Sequence, residues 1–328
     1  MRIISRPAAL RVAIVLVALG LAFGYMCRCG GKAQMANQPA NISAENLKRH
    51  VVALAGAIGE RNVWRPGTLT RAAEHIENTW RDQGYSVRRQ TFTAAGQEIA
   101  NLEVVRTGKD RPQEIIVVGA HYDTVEFSPG ANDNGSGVAA LLELSRHFAA
   151  VETARTIAFV TFVNEEPPFF ETEQQGSRVY AVAARRLGND IRGMLSLETM
   201  GYFSDAPGSQ KYPRFFRWFY PNKGNFIGFV SDLKSRGLLN RMVKAFRANT
   251  DFPAECCATW SGVPGVGWSD HASFWAHGYR AIMVTDTAPY RYPHYHSELD
   301  TPDRLDYASL ARVTAGLRGV VETLAAEP

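Results

Sequence analysis

Apolar and polar positions set the rhythm of this chain, and the rhythm changes after about residue 110. Ser43 is placed as the N-cap of a helix running to about Ile58, and a second helix is expected over residues 69–83, closed by Gly84. Residues 86–92 and 99–105 read as two strands, paired antiparallel. Residues 114–119 (EIIVVG) then form a short continuous apolar run, the pattern of a central strand buried on both faces. A helix with apolar positions three and four apart is expected over 137–150, a buried strand over 156–163, a helix over 177–187 and a strand over 191–197. Residues 203–224, rich in aromatics with Pro and Gly, read as a long loop. A strand at 226–230 and a helix near 233–249 follow, then a loop region to Trp268. Ser269-Asp270-His271 reads as a helix start and His277 as its end, before a strand at Ala281–Thr285 and a final helix near 305–326. Strands alternating with helices predict an α/β fold, a three-layer sandwich with a mixed, mostly parallel sheet and helices on both faces. There is no internal repeat.

The first 30 residues stand apart. Arg2, Arg6 and Arg11 precede an apolar stretch from Val12 to Met26, a basic start and a short apolar core. This predicts a signal peptide over residues 1–30, with a retained membrane anchor as the alternative, since the run is somewhat short of the roughly 20 residues a span requires. Residues 31–42 read as a polar linker and 43–328 as one domain. Export to the periplasm or beyond the cell is expected, or anchoring with the domain outside the cytoplasm. The leader also accounts for much of the charge. Of 36 basic residues, five lie within residues 1–36 without an acid among them, and the other 31 face 32 acidic residues. No basic stripe suggests nucleic acid. With 45% hydrophobic and 21% charged residues, the remainder is ordinary for a globular protein. Cys27 and Cys29 sit beside the leader, and Cys256 and Cys257 are adjacent; neither pair has zinc-site spacing, and a vicinal disulfide and separate thiols are both open.

Against this background the polar residues at strand ends become conspicuous. His121 (in VVGAHYDT), Glu165 and Glu166 (FVTFVNEE) and Glu198 (MLSLETMGY) each follow a predicted sheet strand. In open α/β sheets functional groups gather at the carboxyl ends of strands. Asp133 lies among glycines in PGANDNGSG, and His294 and His296 fall in PHYHSELDTPD, where either imidazole is a candidate ligand. Asp123, two residues after His121 on an extended strand end, is placed on the same side and suits the carboxylate that orients a metal-bound imidazole. Two adjacent glutamates after an apolar strand point in different directions, so one suits a metal and the other proton transfer; like charges so placed are costly unless cations balance them. His271 and His277 are weaker candidates. Asn134-Gly135-Ser136 spells a glycosylation sequon, read as accidental at a buried site.

In order and separation, HYDT, ANDNGSG, NEE, LETMGY, SDHASF and YHSELDTPD resemble the zinc-dependent exopeptidases of metallopeptidase family 28, the bacterial leucyl aminopeptidase type, with glutaminyl cyclases as relatives. The resemblance covers about residues 45–325. It implies two zinc ions, with Co or Mn as substitutes. His121 and Glu198 would hold one, Glu166 and His296 the other, and Asp133 would bridge them. It implies Glu165 as general base, Asp123 behind His121, and Tyr295 polarising the substrate carbonyl. The implied activity is hydrolysis of the N-terminal bond of peptides bearing a free amine. Rival readings are a carboxypeptidase or dipeptidase, for which Arg178 and Arg291 are the available carboxylate clamps, a single-zinc glutaminyl cyclase, and a non-catalytic scaffold. The chain departs from the pattern in three places: many members have Asp where Glu198 stands, PPFFETEQQGS replaces a shorter Gly-rich stretch, and the loop with Phe215, Phe216, Trp218, Phe219 and Tyr220 is long and aromatic.

Overall fold

Among the described residues eight strands form one mixed sheet, in the order β1 (Arg88–Ala94), β2 (Gln97–Arg106), β4 (Arg155–Phe162), β3 (Arg111–His121), β5 (Asp190–Glu198), β8 (Ala281–Thr285), β6 (Ile227–Ser231) and β7 (Ala254–Ala258). The structure, a computed structural model, describes residues 42–326 except 214 and 215. The leader, Cys27, Cys29, Phe215 and all of the linker but Ile42 therefore lie outside the described residues. Among the described residues no helix is long and apolar enough to cross a membrane.

The N-terminal helix α1 (Ala44–Val51) starts where the serine predicted: the Ser43 hydroxyl accepts the Asn46 N–H. It continues through a wider-wound turn, Val52–Ile58. Helix α2 (Pro66–Asp82) buries Leu69, Ala72, Ala73, Ile76 and Trp80, an apolar stripe at helical spacing. Strands β1 (Arg88–Ala94) and β2 (Gln97–Arg106) form the expected antiparallel pair. The centre of the sheet is β3 (Arg111–His121), β4 (Arg155–Phe162), β5 (Asp190–Glu198) and β8 (Ala281–Thr285), all parallel. Their continuous apolar runs follow from burial on both faces. Side chains alternate accordingly. Ile116, Val118, Ile157, Phe159, Leu195 and Val284 pack in one core with α1, α2, α3 (Gly137–Phe148), α5 (Arg236–Asn249) and α8 (Tyr307–Ala326). Val117, Ala158, Val160, Phe162 and Met194 pack in the other with α4 (Gly176–Arg186) and α6 (His271–Ala276). The three layers are those the alternation predicted.

Two elements depart from the sequence reading. Residues 254–258, expected as loop, form β7 (Ala254–Ala258), parallel to β6 (Ile227–Ser231) at the sheet's edge. Its small residues, AECCA, alternate between buried and half-buried, and a five-residue run without large apolar side chains carries little strand signal. Cys256 and Cys257, consecutive in this strand, are not joined to one another. A short helix α7 (Ala288–Arg291) follows β8. Residues 203–224 are loop as expected, closed by a bridge between Ser204 and Gly224 and containing one short helical turn, Phe216–Trp218.

The topology determines where chemistry gathers. The chain leaves β3, crosses through α3 to β4 on one side, and later returns to β5 on the other. The carboxyl end of β3 is thus a switch point, flanked by loops that diverge. His121 ends β3 and Glu198 ends β5, while Glu165 and Glu166 leave β4.

Candidate metal centre

Five side chains converge at this switch point. His121 Nε2 lies 3.3 Å from Asp133 Oδ1 and 3.3 Å from Glu198 Oε2. His296 Nε2 lies 3.1 Å from Asp133 Oδ2 and 3.3 Å from Glu166 Oε2. The two oxygens of Asp133 therefore face two different imidazole–carboxylate sets. Among the described residues, neither of these Nε2 atoms has a hydrogen-bond partner, and neither does Glu166 Oε1. Metal–N and metal–O bonds of about 2.0–2.1 Å in tetrahedral geometry separate neighbouring donors by about 3.3–3.4 Å, so the observed spacings are those of edges around a cation. Unprotonated nitrogen and carboxylate oxygen are also the donor types that zinc accepts, and Co or Mn with it. The residues fit a pair of such ions. Glu165 is set slightly back, its Oε2 3.9 Å from His121 Nε2.

The chain around these donors is fixed by neighbouring side chains. The carboxylate of Asp123 accepts the backbone N–H groups of both Glu165 and Glu166, at 3.1 Å each. Its own oxygen stands 3.6 Å from His121 Nδ1, which instead meets the Asp123 carbonyl at 3.2 Å. Asp123 thus sits beside His121 as its spacing predicted, but its hydrogen bonds hold the glutamate pair. Asp300 does the same for the Asp133 loop: it accepts the N–H groups of Asn132 and Asp133 at 2.8 and 3.0 Å, and the Tyr292 hydroxyl at 2.9 Å. Asn134 ties this loop to β5, donating to the Leu197 carbonyl and accepting the Thr199 N–H. Its amide is buried and engaged, so the sequon is not a surface feature. Ser269 donates to Glu198 Oε2 at 2.7 Å. Asn164, Thr199 and His296 all have positive φ, at 60°, 42° and 54°. Left-handed backbone costs a non-glycine residue about 1–3 kcal/mol, and here it falls on or beside three of the converging acids and imidazoles.

The remaining candidates are placed elsewhere. His294 lies outside the donor clusters, its ring edge-on to Tyr292. His271 is buried, bonded to the Val266 carbonyl at 2.8 Å, and His277 ends α6. Arg291 is buried with its Nε on Gln210 and its Nη1 on the Phe226 and Tyr202 carbonyls, and Arg178 reaches the Glu171 carbonyl, so neither is set as a carboxylate clamp at the centre. Tyr295 stacks on His296 at 3.8 Å between ring centres. It also lines a largely apolar cavity that opens beside Glu198 between the edge of the sheet and the aromatic loop.

Sequence reading missed Asp300, Ser269, Asn132, Asn134 and Asp286. Asn132 donates to Asp286 at 2.9 Å and accepts from the Gly201 N–H at 2.8 Å. Asp300 had a local signal, as the acid four residues after His296, but nothing nearby in sequence tells which backbone it serves.

Electrostatics agree with a site built for cations. Burial opposes charge on His121, yet the carboxylates of Glu198 and Glu165 outweigh it and raise its pKa well above normal. His296 is pushed up to about 10 against burial, by the carboxylates of Asp133 and Glu166 that face it. Burial raises Glu165 well above the usual carboxylate range, with Glu166 and Glu198 adding to it. Burial also raises Glu166, Asp270 and Asp286 to about 7 each. Such carboxyls hold extra protons in the folded state. Their contribution to stability is fully present below the unfolded pKa and is lost as pH rises through the folded one. Asp133, whose pKa is lowered, acts in the opposite sense, losing its contribution as pH falls. Burial lowers His50, His75, His271 and His277, which act in the same sense as Asp133, but the raised carboxyls and imidazoles outnumber them, so the metal-stripped protein is expected to melt at a lower temperature at about pH 7.5 than at about pH 5, and zinc is expected to remove most of that difference. Thermal melts at both pH values, with and without metal, test this; a stripped protein more stable at the higher pH contradicts it.

Comparison with known proteins adds an independent line. Residues 101–321 match the model of Peptidase family M28. The uncharacterized protein YfbL of Escherichia coli K12 is 35% identical over 288 residues, covering 85% of this chain and 88% of that protein. A probable leucine aminopeptidase 1 of Trichophyton verrucosum is 26% identical, covering 87% and 75%. Among solved structures, the zinc aminopeptidase BSAP of Bacillus subtilis superposes with a TM-score of 0.69 at 15% identity, covering 89% of this chain and 97% of that one. This last likeness establishes a shared fold.

Proposed function

The chain belongs to peptidase family M28 and is a metallopeptidase, and from that premise we propose that it is a di-zinc aminopeptidase that removes N-terminal residues from peptides. The observation that carries the reading is Asp133, with one carboxylate oxygen turned to each of two imidazole Nε2 atoms that have no hydrogen-bond partner among the described residues. His121 and Glu198 would hold one ion, Glu166 and His296 the other, and Asp133 both. When bound, the ions would supply Lewis acidity to lower the pKa of a water and to polarise the scissile carbonyl.

The remaining work falls to side chains. Glu165 takes the water's proton and delivers it to the leaving amine. Asp123 holds the Glu165 and Glu166 backbone, so one glutamate can ligate while the other stays free. Tyr295, stacked on His296, would donate its phenol hydrogen to the substrate carbonyl oxygen. The apolar cavity beside Glu198 and Tyr295 receives the N-terminal side chain. The engagement of Arg291 weighs against a carboxypeptidase, and two donor sets weigh against a single-zinc cyclase. The basic and apolar leader supports export, with the catalytic domain outside the cytoplasm.

Metal analysis with a substrate panel tests the proposal. About two zinc ions per chain are expected, with hydrolysis of free-amine aminoacyl anilides, no hydrolysis of their N-acetyl forms, loss of activity on chelation and recovery with zinc, cobalt or manganese. Activity that survives complete metal removal overturns the mechanism, and cyclisation of N-terminal Gln by a one-zinc protein favours the cyclase.

A further inference from the structure

The cavity beside the metal centre contains an acid that hydrolysis does not use. Strands β8, β6 and β7 lie side by side there. Their register places Thr285, Gly228 and Glu255 in one row across the sheet, and Met283, Val230 and Cys257 in the next. All six line the cavity. The middle of the first row has no side chain: a Cβ on Gly228 would come within 3.2 Å of the Thr285 carbonyl and 3.4 Å of the Thr287 methyl. The floor is therefore low beside Glu255. Walls of Phe216, Tyr220, Trp268, Tyr290 and Tyr295 enclose the rest.

A carboxylate in such surroundings is costly unless a cation meets it. Glu255 is half-buried, and among the described residues none gives it a hydrogen bond or an ion pair. Burial raises its pKa, opposed by the field of Arg247, whose Nη2 is bonded to the Ala254 carbonyl. An aliphatic stem suits the apolar walls and a positive head suits the acid. Aromatic faces add attraction for the same cation. Lysine and arginine side chains have this form.

We propose that Glu255 makes this cavity the pocket for a basic N-terminal side chain, so that the enzyme prefers peptides beginning with Lys or Arg. The proposal rests on the aminopeptidase reading. It follows from the register of three strands and one unpartnered acid, and it predicts selectivity by charge rather than by size.

Norleucine lacks the lysine ammonium but has nearly the same stem, so the pair isolates the charge. For the zinc-loaded wild type, L-lysinamide is expected to bind at least about tenfold more tightly than L-norleucinamide in calorimetry, with a similar preference in kcat/KM for the two anilides. In Glu255→Gln the lysine-to-norleucine ratio should fall at least about tenfold in both measurements, and Glu255→Asp should retain part of it. A wild-type ratio at or below one overturns the proposal without any variant, as does a ratio unmoved in Glu255→Gln. Binding and cleavage of both amino acids without preference removes the role of Glu255 and leaves the aminopeptidase reading standing. If neither amide binds and neither anilide is cleaved, that reading fails and this one with it.

Discussion

Glu165→Gln is expected to lower kcat/KM for aminoacyl anilides by about 10³–10⁴-fold while bound zinc stays at its wild-type level. The two glutamates differ in position. Glu166 and Glu198 approach the unpartnered nitrogens of His296 and His121 to 3.3 Å, whereas Glu165 stops at 3.9 Å. Burial and the neighbouring acids raise the Glu165 pKa in the metal-free site. Bound cations would work in the opposite direction and leave a group poised between acid and base near neutrality. Glutamine keeps the size and the hydrogen-bonding edge but cannot carry the proton from water to the leaving amine. The fold has no reason to change, because Asp123 grips the backbone N–H of residue 165 and not its side chain. Steady-state kinetics with metal analysis on the same sample decide the matter. A variant within tenfold of wild type rules out Glu165 as the base, and one that loses zinc makes it a ligand instead.

How far this centre can be read from sequence depends on the distance over which each residue acts. The strands β3, β4 and β5 announce themselves because burial on both faces demands unbroken apolar runs, so a polar residue ending such a run is visible. His121, Glu165, Glu166 and Glu198 were found in this way. Asp133 and His296 sit in loops, where the glycines of PGANDNGSG and the paired histidines of PHYHSELDTPD mark candidates, but only the order of motifs separates His296 from His294 and implies a bridging role for Asp133. Asp300 cradles a backbone 167 residues away, and Glu255 becomes notable only through strand register, on a strand too short and too small in its side chains to be recognised. The aromatic residues of 203–224 were visible as composition, but their place as a cavity wall depends on β6 and β7 packing beneath them. Local periodicity records burial; it does not record which distant loop a polar side chain will hold.

Arg61 is another such case, and Arg61→Met is expected to cost about 3–5 kcal/mol of stability, read from urea unfolding of the zinc-loaded protein. Arg61 is fully buried, and burial lowers its pKa to about 10, which still leaves it charged at neutral pH. Its guanidinium donates to the carbonyls of Tyr122, Leu54, Gly59, Pro129 and Gly130, at 2.9, 3.1, 3.0, 2.6 and 3.0 Å. These carbonyls belong to the turn after α1, the segment following His121, and the loop leading into Asp133. One side chain therefore ties together the backbones of two predicted ligands. Gly130 permits the approach: its φ is +62°, and a Cβ there would lie 2.3 Å from the Asp133 carbonyl oxygen. Methionine fills much of the volume but leaves buried carbonyls without donors, each costing about 1–3 kcal/mol where water cannot reach. Lysine keeps the charge yet cannot span five acceptors as a planar fork does, so Arg61→Lys should fall between the two. Zinc affinity should weaken along with stability, because the same carbonyls position His121 and Asp133. A loss below about 1 kcal/mol in Arg61→Met would mean that water takes over the carbonyls and that the loops hold their shape without the arginine.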